Sequence, residues 1–150
     1  MVGIGYDSHR FAEGRRLVLG GVEIKHPRGL AGHSDADVLT HAVIDAILGA
    51  AGGGDIGTLF PPDEERWRGA DSIDLLRTAI GTIAGMVVNV DATLICEEPK
   101  LGPYKAEMER NVADATSGRV TVKATTNEGM GWIGRGEGIA CIAVAEVQDD

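Results

Sequence analysis

The stretch GIACIAVAEVQ, residues 138–148, is apolar at nearly every position instead of at every second one. A strand with one wet face alternates, whereas a strand apolar on both sides needs cover on both. Two earlier segments also read as strands: MVVNVDATLIC (86–96), rich in β-branched residues, and RVTVKATT (119–126). A helix from 103 to 116, opened by Pro103 in its first turn, lies between them. The 150 residues amount to one domain, 1–150, with a sizeable core. In so short a chain, a sheet apolar on both faces predicts that a second copy covers one of them.

Working outward, VGIGYDS (2–8) is an opening strand. RLVLGGVEI (16–24) reads as two short strands around Gly20-Gly21, a hairpin signal. Ser34 is placed to cap a helix, with Asp37 three residues on as in a capping box. Val38, Ala42, Ile44, Ala46, Ile47 and Leu48 give that helix its apolar face, and Gly52-Gly53-Gly54 ends it. Residues 55–69 form a polar loop, long for a plain connection. Asp71 or Ser72 starts the next helix, with Ile73, Leu75, Leu76, Ala79, Ile80 and Ile83 inward and Gly85 as its stop. Strands and helices mix without strict βαβ alternation. The expectation is α+β, with helices packed on one face of a mixed sheet.

Composition excludes several function classes. Net charge is −9, from 14 basic against 23 acidic residues, which argues against nucleic acid as main partner. No segment approaches the ~20 apolar residues of a membrane span. MVGIGYDSH lacks the basic start and apolar run of a secretory leader. Cys96 and Cys141 are far apart with no CxxC spacing, as expected of reduced, buried thiols in a cytoplasmic protein.

The chemistry concentrates in a few places. Asp7 and His9 are i and i+2 on a strand, so they project from the same face. His41 lies on a helix, one turn from Asp37 and one turn from Asp45. Asp, His and His would together make the three-ligand set of a catalytic zinc with an open fourth position, but the spacing alone does not join Asp7 and His9 to His41, and unrelated histidines are the alternative. Asp37 or Asp45 could hold the other ring nitrogen of His41. His33 and Ser34 precede a helix start, where free N–H groups favour an anion. In KATTNEGMGWIGRGEG (123–138), Thr125 and Thr126 offer a phosphate cradle, and Glu128 could hold a hard cation such as Mg²⁺.

Five segments occur in order: GYDSHRF, GHSDADVLTHAVIDAILGAAGGGDIGTLFP, GADSIDLL, EEPKLGPY and KATTNEGMGWIGRGEGIA. Together they closely resemble the 2-C-methyl-D-erythritol 2,4-cyclodiphosphate synthases, from about residue 2 to about 147. The resemblance implies a homotrimer around a sheet-lined axis, with active sites between subunits. It implies zinc on Asp7, His9 and His41, and Mg²⁺ or Mn²⁺ near Glu128 at the diphosphate. It implies that His33 and Thr126 aid the transition state, and that Ser8 and Ser34 approach the substrate. Asp55, Ile56 and Gly57 match the segment for the erythritol part, extended by Phe60, Pro61, Pro62, Asp63 and Glu64. Cys96, Glu97, Glu98, Pro99, Lys100, Leu101 and Gly102 match the cytidine and diphosphate pocket. Thr125, Thr126, Asn127 and Glu128 match the phosphate segment. Trp132 and Arg135 match a cavity on the trimer axis where an isoprenoid diphosphate can sit. This chain departs from the pattern at Pro62, at the paired acids Glu97-Glu98 and at Trp132.

Overall fold

A computed structural model describes residues 1–150. The strands are β1 (Val2–Ala12), β2 (Leu17–Leu19), β3 (Val22–Ile24), β4 (Gly29–Leu30), β5 (Met86–Ile95), β6 (Arg119–Thr125) and β7 (Gly138–Gln148). The helices are α1 (Val38–Ala51), α2 (Ile56–Leu59), α3 (Ser72–Ile80), α4 (Lys105–Thr116) and α5 (Gly131–Gly134). Five strands form one mixed sheet in the order β4-β1-β7-β5-β6, with only β5 and β6 parallel. The parallel pair needs a crossover, and α4 supplies it. Strands β2 and β3 form the separate hairpin expected at 16–24.

Helix α1 lies across β1 and β7, α4 lies against β6, and α3 bridges the two helices. All pack on the face that carries Ala143, Ala145 and Val147 of β7 and Val90, Ala92 and Leu94 of β5. The all-apolar reading of 138–148 therefore resolves into two different faces. Cys141, Ala143, Ala145 and Val147 enter the core, while Ile142 and Val144 point outward and stay exposed. Val2, Ile4 and Tyr6 of β1 and Met86 and Val88 of β5 are exposed too. Ile4 is paired with Val144 and Tyr6 with Ile142, so the outer sheet face carries a continuous apolar stripe.

Contact between β1 and α1 is unusually close. A β-carbon on Gly5 would run into the carbonyl oxygen of Ala42, and one on Gly3 into that of Ala46. Only hydrogen fits at these two positions, so strand and helix backbones touch. Along the same strand face, Gly3 and Gly5 are followed by Asp7 and His9.

Helix α1 starts later than the capping-box reading predicts. Its N-cap is Asp37, whose carboxylate accepts from Thr40 N at 3.0 Å and Thr40 Oγ1 at 2.8 Å. The same carboxylate accepts the amides of Gly20 at 2.9 Å and Gly21 at 2.8 Å, at the turn of the β2–β3 hairpin. Both glycines have positive φ, as that two-residue turn requires. Ser34 is not the cap: its hydroxyl accepts from Ala36 N, and Ala36 itself has φ +58°. A fully buried carboxylate with four donors takes the helix start, while the Ser34 hydroxyl is engaged by Ala36 N and His41 Nε2.

Three smaller differences follow from local chemistry. Helix α3 ends at Ile80, short of Gly85, and Ile80 and Ile83 are only half-buried. The segment 55–69 is not plain loop: Asp55 caps α2 through Thr58 N, and Glu65–Trp67 make a 3₁₀ turn. Pro103 opens a 3₁₀ turn at Gly102–Tyr104, and α4 begins just after it. No helix is long and apolar enough to cross a membrane.

Candidate active site

Three side chains from two elements converge at the end of the β1–α1 contact. Asp7 Oδ2 lies 3.0 Å from His9 Nε2 and 3.2 Å from His41 Nδ1. The three ligand atoms all lie within 4.8 Å of one another. The two imidazoles meet edge to face, 5.6 Å between centroids. Spacing on β1 put Asp7 and His9 on one face; the glycine contact brings that face to His41.

Hydrogen bonds on the far side of each ring set the near side. His9 Nδ1 donates to Ala31 O at 2.7 Å, so in the neutral ring Nε2 carries a lone pair. His9 Nε2 is buried without a well-angled hydrogen-bond partner, despite the nearby carboxylate. His41 Nε2 faces Ser72 Oγ at 2.8 Å and Ser34 Oγ at 3.1 Å, away from Asp7. With both rings neutral and their far nitrogens protonated, the centre would present acceptors to each other, and a cation would relieve them. Bonds of about 2.0–2.1 Å at tetrahedral angles set ligand atoms roughly 3.3 Å apart, close to what is seen. The residues therefore fit a divalent metal.

The electrostatics agree. Burial pushes the Asp7 carboxyl up, but its hydrogen bonds and charge interactions with His41 and His9 outweigh burial and hold it below the usual range. Burial pushes His9 down, but Asp7 more than compensates and the ring binds a proton more tightly than usual. The same Asp7 carboxylate charge that favours a proton on His9 would favour a metal ion beside it.

The partners expected for His41 are corrected by the structure. Asp37 faces the hairpin turn, as above. Asp45 accepts the amide of Ile56 at 2.8 Å and so anchors the start of α2. The i, i+4 stripe was right as geometry, but each carboxylate met nearer backbone donors first.

The metal centre forms the wall of a cavity of about 250 Å³, lined also by His33, Ser34, Ile56, Gly57, Phe60, Pro62, Trp67 and Leu75. Asp55, Pro61, Asp63 and Glu64 flank it without lining it. His33 Nε2 donates to Glu64 O at 3.0 Å. Arg15 donates to Gly32 O at 3.1 Å and Ser34 O at 2.7 Å, which fixes the backbone on both sides of His33. Phe60 and Trp67 pack edge to face. Trp67, Leu75, Arg15 and Ser72 were not among the site residues expected from sequence, although Ser72 and Leu75 were read as a helix start and an inward helix position. Their local signals are ordinary for a loop, a helix face, a turn and a helix start.

A second cavity, about 410 Å³, is lined by Cys96, Glu97, Pro99, Lys100, Leu101, Gly102, Thr125 and Thr126, with Pro103, Lys105 and Ala124. Lys105, first residue of α4, adds a cation that the sequence reading missed. Glu97 accepts the amides of Asn127 at 2.6 Å and Gly129 at 3.0 Å. Its carboxylate holds the loop after β6, in which Glu128 is exposed with φ +54°. Glu98, Asn127 and Glu128 do not line this cavity. His33 and Thr126 line different cavities, and the single chain does not bring them together. A third cavity, about 780 Å³, is lined by Ser8, His9, Arg10, Phe11, Arg28, Trp132, Arg135, Gly136 and Glu137.

A sheet covered on one face by helices, with an Asp-His-His group able to hold a metal ion beside a loop-walled cavity, is the frame of an α+β enzyme. A profile of the YgbB family matches residues 1–148. The 2-C-methyl-D-erythritol 2,4-cyclodiphosphate synthase of Symbiobacterium thermophilum is 56% identical, covering 97% of this chain and 96% of that protein. That of Salinibacter ruber is 54% identical, over 98% of each. A solved 2C-methyl-D-erythritol-2,4-cyclodiphosphate synthase in its CDP-bound form superposes with TM-score 0.87 at 34% identity, covering 99% of this chain and all of that one. The bifunctional IspDF of Campylobacter jejuni superposes at 0.91 with 42% identity; this chain spans 42% of its length. The chain belongs to the YgbB family, and it is an enzyme of the cyclising lyase class.

Proposed function

We propose that the chain converts 4-diphosphocytidyl-2-C-methyl-D-erythritol 2-phosphate into 2-C-methyl-D-erythritol 2,4-cyclodiphosphate and CMP, in the non-mevalonate isoprenoid pathway of the cytoplasm. The observation that carries this reading is the set of three converging acceptors, Asp7 Oδ2, His9 Nε2 and His41 Nδ1, beside a cavity sized for a small substrate. Zinc is the ion we assign there, and Mg²⁺ or Mn²⁺ the ion held by the exposed carboxylate of Glu128. When bound, these cations polarise the β-phosphate and neutralise charge across the diphosphate.

The reaction is an intramolecular displacement. An oxygen of the 2-phosphate attacks the β-phosphorus, the bond from that phosphorus to the CMP oxygen breaks, and an eight-membered ring closes. The protein's work is to hold both ends of a flexible, highly anionic substrate together, which is worth ~7–11 kcal/mol in favourable cases. Lys100 and Lys105 offer positive charge to the nucleotide end. Ile56 and Gly57 seat the erythritol end, and Phe60, Pro62 and Trp67 exclude water that would compete as nucleophile. His33 and the Thr126 hydroxyl hydrogen-bond the reacting phosphates.

The separation of His33 from Thr126 supports a homotrimer in which each active site takes its metal half from one subunit and its nucleotide half from the next. The exposed stripe of Val2, Ile4, Tyr6, Ile142 and Val144 supports burial of the outer sheet face in that assembly. The third cavity then opens toward the axis, where Trp132 and Arg135 receive an isoprenoid diphosphate. Incubation with the cytidyl substrate, zinc and Mg²⁺ followed by phosphorus NMR tests the reading. A cyclic diphosphate with equimolar CMP is expected; inorganic phosphate release would replace cyclisation with hydrolysis.

A further inference from the structure

We propose that Asp35 and Ser72 are positioning residues that decide which nitrogen of His41 is free for the metal, and that they tie this choice to the seating of the loop before α3. The inference rests on the metal reading of Asp7, His9 and His41.

Ser72 is the first residue of α3 and is fully buried. Its hydroxyl lies between two groups, Asp35 Oδ1 and His41 Nε2. A hydroxyl has one hydrogen to give. The Asp35 carboxylate is set up as an acceptor, because it also takes Ser72 N on Oδ2 at 3.0 Å and Asp37 N on Oδ1 at 3.1 Å. Ser72 therefore donates to Asp35 and turns a lone pair toward His41. That lone pair requires a hydrogen on Nε2. In the neutral ring Nδ1 is then bare, and Nδ1 is the atom that faces Asp7. Ser34 Oγ, longer at 3.1 Å, is a second acceptor for the same N–H. The direction of the chain runs one way, from imidazole to hydroxyl to carboxylate.

The same carboxylate stitches two segments. His33 O accepts from Gly69 N at 2.8 Å, Asp35 N donates to Ala70 O at 3.1 Å, and the Asp35 side chain then takes Ser72. These rungs run side by side between 33–35 and 69–72. Phe60, Pro62 and Trp67, which wall the metal cavity, belong to the loop that ends in this ladder. A shift of the loop moves Ser72 relative to Asp35 and so reaches His41.

Two measurements on the whole protein test this. Zinc affinity is read by competition with a chromophoric chelator. The protonated nitrogen of His41 is read in the metal-free protein by long-range proton–nitrogen spectra of histidine-labelled samples. Wild type should show hydrogen on Nε2. Ser72→Ala should mix the two tautomers and lose 10–100-fold in zinc affinity. Ser72→Thr, which keeps the hydroxyl, should restore both. Asp35→Asn can offer an N–H to Ser72, which lets Ser72 donate to His41 and should populate hydrogen on Nδ1. Ser72→Ala with wild-type tautomer and affinity overturns the proposal alone. Wild-type protein that fails to bind zinc overturns the metal reading and this proposal with it.

Discussion

Asn127 donates its backbone N–H to Glu97 Oε2 at 2.6 Å, across thirty residues of sequence. The bond fixes the loop that presents Thr126 and Glu128, so on the proposed function Glu97 would act on the nucleotide end through the backbone. Glu97→Gln places an amide N–H against one of two backbone donors. Charged hydrogen bonds of this kind contribute about 1.5–3 kcal/mol. CDP affinity measured by calorimetry should fall roughly tenfold by the same principle. Wild-type affinity would mean the loop holds its shape without Glu97.

Removing one ligand should empty the metal centre without unfolding the chain. His41→Ala leaves Asp7 and His9 as two ligands of three. Elemental analysis of the purified variant should find zinc lost, and turnover should fall to background. Full turnover in metal-free protein would contradict the zinc assignment.

A charge on the outer sheet face should break the assembly. Val144 is exposed in the single chain and lies opposite Ile4. Val144→Asp should yield a 15.7 kDa species in light scattering, with folded-state circular dichroism and little activity. A trimer that survives this change would place the interface elsewhere.

Asp37 joins the start of α1 to the β2–β3 turn. Asp37→Ala removes the cap and strands the amides of Gly20 and Gly21. The cap alone is worth about 1 kcal/mol, the buried amide of Gly20 left unpaired adds about 1–3, and the more exposed amide of Gly21 adds less. Urea denaturation should show a loss of about 3 kcal/mol or more by these figures. A loss below about 1 kcal/mol would mean that water replaces the carboxylate at the turn.

The two cysteines should be inert in the native protein. Burial, then the charge of Glu97, pushes the Cys96 thiol up to about 11, and burial pushes Cys141 higher still. A thiol raised above its unfolded value adds stability below that unfolded pKa and loses it as pH rises through the folded one. Alkylation should therefore be negligible at pH 8 and appear above pH 10 or on unfolding. Fast labelling of either thiol at pH 8 would contradict this.

The major strands and helices were legible because their signals are local: β-branched runs, apolar periodicity and glycine punctuation. The pairing of Asp7 with His9 was legible for the same reason, through the two-residue repeat of a strand. Their meeting with His41 was not, since spacing cannot bring a strand to a helix; only the resemblance linked them. Ser34 as a cap was misread because Asp37 finds four donors, two of them on a hairpin sixteen and seventeen residues away. Asp35 gave no sequence signal at all, since its partner Ser72 is thirty-seven residues on. The separation of His33 from Thr126 could be read only once both cavities were seen.

The glycines beneath α1 act as a gauge for the metal centre. With no side chain at positions 3 and 5, the gap between strand and helix is set by bare backbone, and backbone does not repack. Asp7 and His41 inherit that gap at the open end, as the blades of a caliper inherit the setting of its slide. Errors in the chemistry can therefore be introduced by residues that perform none. A single methyl group at Gly5, which lines none of the three cavities, would spread Asp7 and His41 without altering either of them.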